Sequence, residues 1–210
     1  MDRTPVRLVV VDGNIGAGKS TLLEGVRAAG YAVLPEPVAR WREPRGSLGG
    51  RSALSAYYDD PRAHALAFQL HAARTRLDQL AELGGRGGLV VAERDPFDAS
   101  IFPEHDRRAG RVSAWEHEAL EGILGAARRA VPAEVAGAVY LRLSPESCLR
   151  RVRERGRGEE AGVGLERLRA LHLLHEEKHA RGAGLAVDAG AAPGEVLAEV
   201  LGYLRGAAAQ

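Results

Sequence analysis

Short apolar runs alternate along this chain with longer stretches of helical spacing. Arg7-Leu8-Val9-Val10-Val11-Asp12 is rich in β-branched residues, ends at Gly13 and predicts a buried strand. A Gly-rich turn follows, then a helix over Ser20–Ala29 and a second short strand over Tyr31–Leu34, closed by Pro35-Glu36-Pro37. Pro44–Arg51 is Gly-, Pro- and Arg-rich and predicts a loop. Over Pro61–Leu83 the apolar residues Ala65, Phe68, Ala72, Leu77 and Leu80 fall near one face of a helix, which Gly84-Gly85-Arg86-Gly87-Gly88 stops. Leu89–Ala92 is another buried-strand run, ending at Glu93. A helix over Val112–Ala130 and a strand over Ala138–Leu143 come next. Ser144-Pro145-Glu146 opens a further helix with Ser as N-cap and Pro at its first position. An Arg- and Gly-rich interruption spans Arg155–Gly164, followed by a helix over Leu165–Ala180, a strand over Leu185–Asp188 and a helix over Gly194–Leu204.

Strands alternating with helices imply an α/β fold, a parallel sheet with helices on both faces. With neither an internal repeat nor an interdomain linker, the expectation is one domain over residues 1–210 with a small lid at about residues 151–164.

Composition narrows the function classes. The net charge is +1, which argues against a nucleic-acid coat or a membrane-surface protein. No apolar run approaches membrane-spanning length, and a strand pattern near Val6 is expected to leave no room for a leader. The single cysteine, Cys148, rules out an internal disulfide and fits a reducing, cytoplasmic setting. His172, His175 and His179 lie near one helix face, but no strong carboxylate or cysteine partner completes a metal set, and Cys148 reads as a small packing residue.

The basic residues are arginines except for Lys19 and Lys178. One of those lysines stands where chemistry requires it. Gly13-Asn14-Ile15-Gly16-Ala17-Gly18-Lys19-Ser20 fits G-x-x-x-x-G-K-[ST] at every fixed position, between a buried strand and a helix. Glycines let backbone N–H groups close around phosphate oxygens, and the helix N-terminus adds positive potential. Lys19 suits β- and γ-phosphate charge, and the Ser20 hydroxyl suits Mg²⁺. A guanine-specific Asn-Lys-x-Asp motif is absent, because Asn14 is the only asparagine.

Glu36 and Glu93 both follow strand ends, as the phosphate loop does, and ligands of open parallel sheets bind beyond those ends. Two carboxylates and a phosphate cradle therefore converge on one crevice. At this point the residues resemble the cellular deoxynucleoside kinases, whose members phosphorylate deoxycytidine, deoxyguanosine and, in mitochondria, thymidine. Gly13–Thr21 looks like their P-loop, and Pro35–Trp41 like their Glu-Pro-Val-x-x-Trp segment. Tyr58, Pro61 and Phe68-Gln69 match in type and spacing, and Glu93-Arg94 opens their Glu-Arg-Ser motif. Ser144-Pro145-Glu146-x-Cys148-Leu149 through Arg151, Arg155, Arg157, Glu159 and Glu160 looks like their lid, and Leu171-His172 with His175-Glu176 like the helix behind it. Asp95 replaces the serine of Glu-Arg-Ser, and Arg42–Tyr57 resembles no family segment.

The resemblance implies a P-loop kinase that transfers the ATP γ-phosphate, with Mg²⁺, to a deoxynucleoside 5′-hydroxyl. In it Glu36 would take the hydroxyl proton and Arg94 would orient that carboxylate. Ser20 and Glu93 would hold Mg²⁺, and Arg151, Arg155 and Arg157 would close on the ATP phosphates. Tyr58 and Glu160 would bond the sugar 3′-hydroxyl, and Gln69 would pair with the base edge, with Trp41 and Phe68 packing around the base. Arg76, seven residues after Gln69 on the same helix face, points at the same pocket. An ungapped reading puts Ala99, not an aspartate, at its usual partner's position, which favours a pyrimidine kinase accepting both deoxycytidine and thymidine. Asp98, one residue away, is the alternative partner. The resemblance also implies a homodimer through the helices Pro61–Leu83 and Val112–Ala130. Two other readings compete. One is a thymidylate-type nucleoside monophosphate kinase with Arg40, Arg42 or Arg45 on the acceptor phosphate. The other is a non-catalytic nucleotide-binding subunit.

Overall fold

The computed structural model describes residues 5–83, 88–182 and 184–208. Its strands are β1 (Val6–Gly13), β2 (Ala32–Leu34), β3 (Leu89–Glu93), β4 (Ala133–Arg142) and β5 (Leu185–Asp188). They form one five-stranded sheet in the order β2-β3-β1-β4-β5, parallel at every pairing. The helices are α1 (Lys19–Ala28), α2 (Val38–Trp41), α3 (Ala53–Asp59), α4 (Pro61–Glu82), α5 (Phe102–Arg108), α6 (Ala114–Ala130), α7 (Pro145–Arg155), α8 (Leu165–Arg181) and α9 (Pro193–Ala208). Single 3-10 turns occupy Gly46–Leu48 and Gly158–Glu160.

The alternation of β1 shows why the sheet is covered on both sides. Val9 and Val11 face one way, into a core with Leu22 and Val26 of α1 and Val200 and Leu204 of α9. Leu8 and Val10 face the other way, against Leu80 of α4 and Phe97. Successive side chains of a strand point to opposite faces, so a run apolar at consecutive positions is stable only between two layers.

Most elements lie where the apolar pattern puts them, and the differences have local causes. β4 begins at Ala133, five residues before the expected start at Ala138. Its first half, Ala-Glu-Val-Ala-Gly, is partly exposed and lacks a strong apolar run, and it carries a register shift against β1, where Leu8 pairs with Val135 and Val9 with Gly137. Gly137 leaves room there for Tyr203, whose hydroxyl would lie 2.4 Å from a Cβ at this position. The helix expected from Val112 starts at Ala114, because Ser113 caps it and Glu116 closes a capping box. The short helices α2, α3 and α5 escaped the periodicity argument, since seven residues or fewer complete too few turns to show one. The segment expected as a loop over Pro44–Arg51 contains the first 3-10 turn and is pinned by a bridge between Pro44 and Ser52. Of the Gly-rich stop after α4, Gly84–Gly87 lie outside the described residues.

Candidate active site

Sheet order assembles the site. β2, β3 and β1 are neighbours, so their carboxyl ends lie side by side. Glu36 follows β2, Glu93 ends β3 and Gly13 ends β1. These ends open into a cavity of about 540 Å³. It collects Ile15, Gly16, Gly18, Lys19, Ser20 and Thr21 of the phosphate loop, with Glu36, Trp41, Tyr58, Phe68, Gln69, Arg76, Glu93 and Arg94. Arg151, Arg155, Arg157 and Glu160, from the segment expected as a lid, line it as well. Gly13, Asn14 and Ala17 of the expected set lie behind this lining and serve the loop's shape. Asn14 Nδ2 donates to the Leu168 carbonyl at 2.8 Å, and its Oδ1 accepts from Ile15 N at 2.8 Å.

The phosphate loop has the backbone its glycines allow. Gly13, Gly16 and Gly18 have φ of 148°, 83° and 99°, a region L side chains rarely adopt. A Cβ on Gly16 would come within 2.6 Å of the Cys148 carbonyl, so α7 packs directly on the loop. The Lys19 ammonium folds back to donate to the Gly13 and Asn14 carbonyls at 3.0 and 2.9 Å. Burial, reinforced by nearby Arg94, pushes its pKa down to about 8 despite Glu93 and Glu36.

Glu36 is clasped by two guanidinium groups. Arg76 Nη2 donates to its Oε1 at 2.5 Å, and Arg94 Nε lies 3.1 Å from the same oxygen. Burial would raise the Glu36 pKa, but Arg94, Arg76 and Lys19 outweigh it and hold the carboxyl below its usual range. Arg94 has φ 69°, the one positive value among the described non-glycine residues, and its N–H donates to the Val11 carbonyl at 3.1 Å. Such a backbone costs on the order of 1–3 kcal/mol and persists where the surroundings hold it. Buried Nε and Nη1 of Arg94 complete no hydrogen bond among the described residues. A buried guanidinium with spare donors is suited to an anionic ligand. Glu93 accepts from the Glu36 backbone N–H at 3.4 Å.

The other end of the cavity is aromatic. Trp41 meets Phe68 edge-on at 5.6 Å, and Tyr57 stacks on Phe68 at 4.7 Å. Trp41 Nε1 donates to Thr75 Oγ1 at 2.8 Å, and the Arg76 guanidinium lies 5.2 Å from the Trp41 ring. Gln69 Nε2 donates to Asp106 Oδ2 at 2.7 Å. Asp106 is fully buried and also accepts from Tyr57 Oη and from Arg111 Nε at 3.0 and 2.8 Å. Because a carboxylate only accepts, the Gln69 amide nitrogen must face it, which settles the amide's orientation. Arg167 of α8 donates to the Tyr57 hydroxyl at 2.6 Å and lies over both Tyr57 and Tyr58.

The arginines of the segment expected as a lid divide their attention. Arg151 donates to the Ala17 and Ala189 carbonyls at 3.3 and 2.9 Å, against the phosphate loop. Arg155 and Arg157 instead donate to Glu160 at 2.6 and 3.5 Å. The arginines considered for an acceptor phosphate point elsewhere. Arg40 pairs with Glu82, Arg42 with Glu159 and Arg45 with His71, and none lines the cavity.

Sequence reasoning missed Tyr57, Asp106, Arg167, Asp12 and Lys178. Lys178 Nζ donates to Asp12 Oδ2 at 2.5 Å and Asp98 Oδ2 at 2.9 Å. The alternative pair of Arg76 with Asp98 therefore does not form. Its one sequence signal was a lysine in a chain that otherwise uses arginine. His175 is buried against Tyr140, and desolvation takes its pKa down to about 3. Burial pushes the Cys148 thiol up to about 11, in keeping with a packing role. Among the described residues no cluster of three or more His, Cys, Asp or Glu could hold a metal ion.

Comparison with known proteins gives concordant matches. The family model for deoxynucleoside kinase matches residues 9–189. Deoxycytidine kinase of Mus musculus is 31% identical over 202 residues, covering 82% of this chain and 75% of that protein. Thymidine kinase of Ictalurid herpesvirus 1 is 37% identical over 174 residues, covering 79% and 71%. Mitochondrial thymidine kinase 2 of Homo sapiens is 34% identical over 172 residues, covering 81% and 63%.

Proposed function

Because the chain belongs to the deoxynucleoside kinase family, we propose that it transfers the γ-phosphate of Mg-ATP to the 5′-hydroxyl of a deoxynucleoside, with pyrimidines favoured. The observation that carries this reading is Glu36, a buried carboxylate held between Arg76 and Arg94 in the cavity that the phosphate loop also lines.

Each residue then has a task its position supports. The ionised Glu36 accepts the 5′-hydroxyl proton as the hydroxyl attacks. Arg94 turns its spare donors to the oxygens of the transferring phosphoryl group, where charge spreads in the transition state. Lys19 exchanges the Gly13 and Asn14 carbonyls for phosphate oxygens, and Arg151 already lies against the loop. Arg155 and Arg157 reach the phosphates by leaving Glu160, which frees that carboxylate, with Tyr58, for the sugar 3′-hydroxyl. Gln69 reads the base edge, with Trp41 and Phe68 packed around the base. The exposed Ser20 hydroxyl and the Glu93 carboxylate are hard oxygen donors of the kind Mg²⁺ takes alongside substrate phosphates. When bound, Mg²⁺ neutralises charge on the β- and γ-phosphate oxygens.

A homodimer belongs to the same proposal, supported by exposed Leu70 on α4 and by Trp115 and Ile123 on α6. Sedimentation at micromolar concentration showing only a 22.4 kDa species would count against it. A cytoplasmic setting is supported by the buried, unpaired Cys148. No helix among the described residues is long and apolar enough to cross a membrane.

The decisive experiment offers the four deoxynucleosides and dTMP, each with Mg-ATP, and follows phosphate transfer. The expected product is a deoxynucleoside 5′-monophosphate. Transfer to dTMP alone would replace this reading with a monophosphate kinase, and transfer to none would favour a binding subunit.

A further inference from the structure

Behind the residues that face the cavity, a line of alternating charges runs into it. Asp98 and Asp12 share the Lys178 ammonium, Asp12 turns its other oxygen to Arg94 Nη1 at 3.6 Å, and Arg94 Nε lies 3.1 Å from Glu36. Two carboxylates thus compete for one guanidinium. Arg94 is nearer Glu36, yet neither contact is a completed hydrogen bond. Opposite charges this close attract strongly in a buried site. An Asp12 without its own cation would draw Arg94 away from Glu36 and consume the donors a phosphoryl group needs.

We propose that Lys178 is a positioning residue for phosphoryl transfer, neutralising Asp12 so that Arg94 stays available to Glu36 and to the transferring group. The inference rests on the kinase reading of the cavity. Two further observations support it. His175, one turn before Lys178 on α8, is held neutral by burial and cannot neutralise Asp12 in its place. The helix that carries Lys178 is also tied to the phosphate loop, through Asn14 Nδ2 on the Leu168 carbonyl. The Lys178 ammonium is therefore set by the same element that braces the loop.

The test is a mutational cycle read by kcat and KM. Lys178→Met keeps the aliphatic stem and removes the charge. It should lower kcat by about tenfold or more, with KM for ATP within about threefold of wild type. Adding Asp12→Asn removes the competing carboxylate, and the double variant should then lie within about threefold of Asp12→Asn alone. A merely structural lysine would lower the melting temperature of both Lys178 variants, and the second change would rescue nothing. The proposal is overturned by an unchanged kcat in Lys178→Met, or by the same loss in the Asp12→Asn background. Should Lys178→Met fail to fold, the comparison of Asp12→Asn with the double variant decides alone. An inactive wild-type chain would overturn the kinase reading together with this one. An active wild type with an indifferent Lys178 overturns this one only.

Discussion

Arg76 Nη2 donates to Glu36 Oε1 across 2.5 Å, joining two residues forty positions apart. Arg76 stands on the helix that carries Gln69, so the proposed base Glu36 is held by an arginine from the helix of the proposed base reader. The same guanidinium lies over Trp41.

This pair predicts a pH effect. Burial raises the Glu36 pKa, and Arg94, Arg76 and Lys19 together lower it by more. The acid limb of kcat/KM should therefore lie below the ordinary Glu range near 4.3. Arg76→Met removes one of the lowering charges, so the limb should move to higher pH. A limb that stays in place or moves down would show that Arg76 does not set the charge of Glu36.

Glu36→Gln tests the base itself. The amide preserves size and hydrogen bonding and removes the proton acceptor. The loss should be about 10²–10⁴ in kcat with modest change in KM. An unchanged kcat would eliminate Glu36 as the base.

Lys19→Ala should nearly abolish turnover, since β- and γ-phosphate charge loses its main neutralising partner. The ammonium already sits inside the loop, bonded to two of its carbonyls. Near-normal turnover would sink the phosphate site.

Asp106 carries a prediction of both stability and recognition. Asp106→Ala strips a buried acceptor from Gln69, Tyr57 and Arg111. The cost should be about 1–3 kcal/mol, because the buried Tyr57 and Gln69 donors are left without their acceptor, and KM for the nucleoside should rise as the Gln69 amide loses its orientation. Burial works to raise the Asp106 pKa, but nearby His105 and the bonds from Arg111 and Gln69 lower it on balance. A depressed folded-state pKa stabilises above the unfolded value near 3.9, and that contribution is lost as pH falls through the folded value. Wild type should therefore lose stability to acid in that window more steeply than Asp106→Ala. Parallel acid-unfolding curves would deny the linkage.

The sheet was legible because β1 is apolar on both faces, which only a two-sided layer tolerates. The phosphate loop and the acids were legible because their chemistry is local: glycines at set spacing, and carboxylates just past strand ends. Asp106 and Asp12 were not, because each acts through partners dozens of residues away that no periodicity connects. Gln69 reaches Asp106 across 37 positions and Lys178 reaches Asp12 across 166. The Arg-rich stretch expected as a lid was legible, but not that Arg155 and Arg157 rest on Glu160, since a run of like residues does not say which carboxylate each meets.

Base preference is the last test. Arg76 has no aspartate to hold it in the base pocket. Ala99 has no charge to offer, Asp98 is occupied by Lys178 at 2.9 Å, and Arg76 itself turns to Glu36. An arginine drawn toward Glu36 leaves room beside Gln69 for the thymine 5-methyl group. The Gln69 oxygen can accept from either pyrimidine, from the cytosine amine or from the thymine ring N–H. Thymidine and deoxycytidine should accordingly have kcat/KM values within about a hundredfold of each other, a gap below about 3 kcal/mol in transition-state binding. Measuring both under one set of conditions decides it. Thymidine more than about a hundredfold poorer would mean that Arg76 leaves Glu36 and closes on the base when substrate binds. In that case Asp98→Ala should leave the ratio unchanged if Glu36 is the only partner lost, and relax it if Asp98 exchanges Lys178 for Arg76.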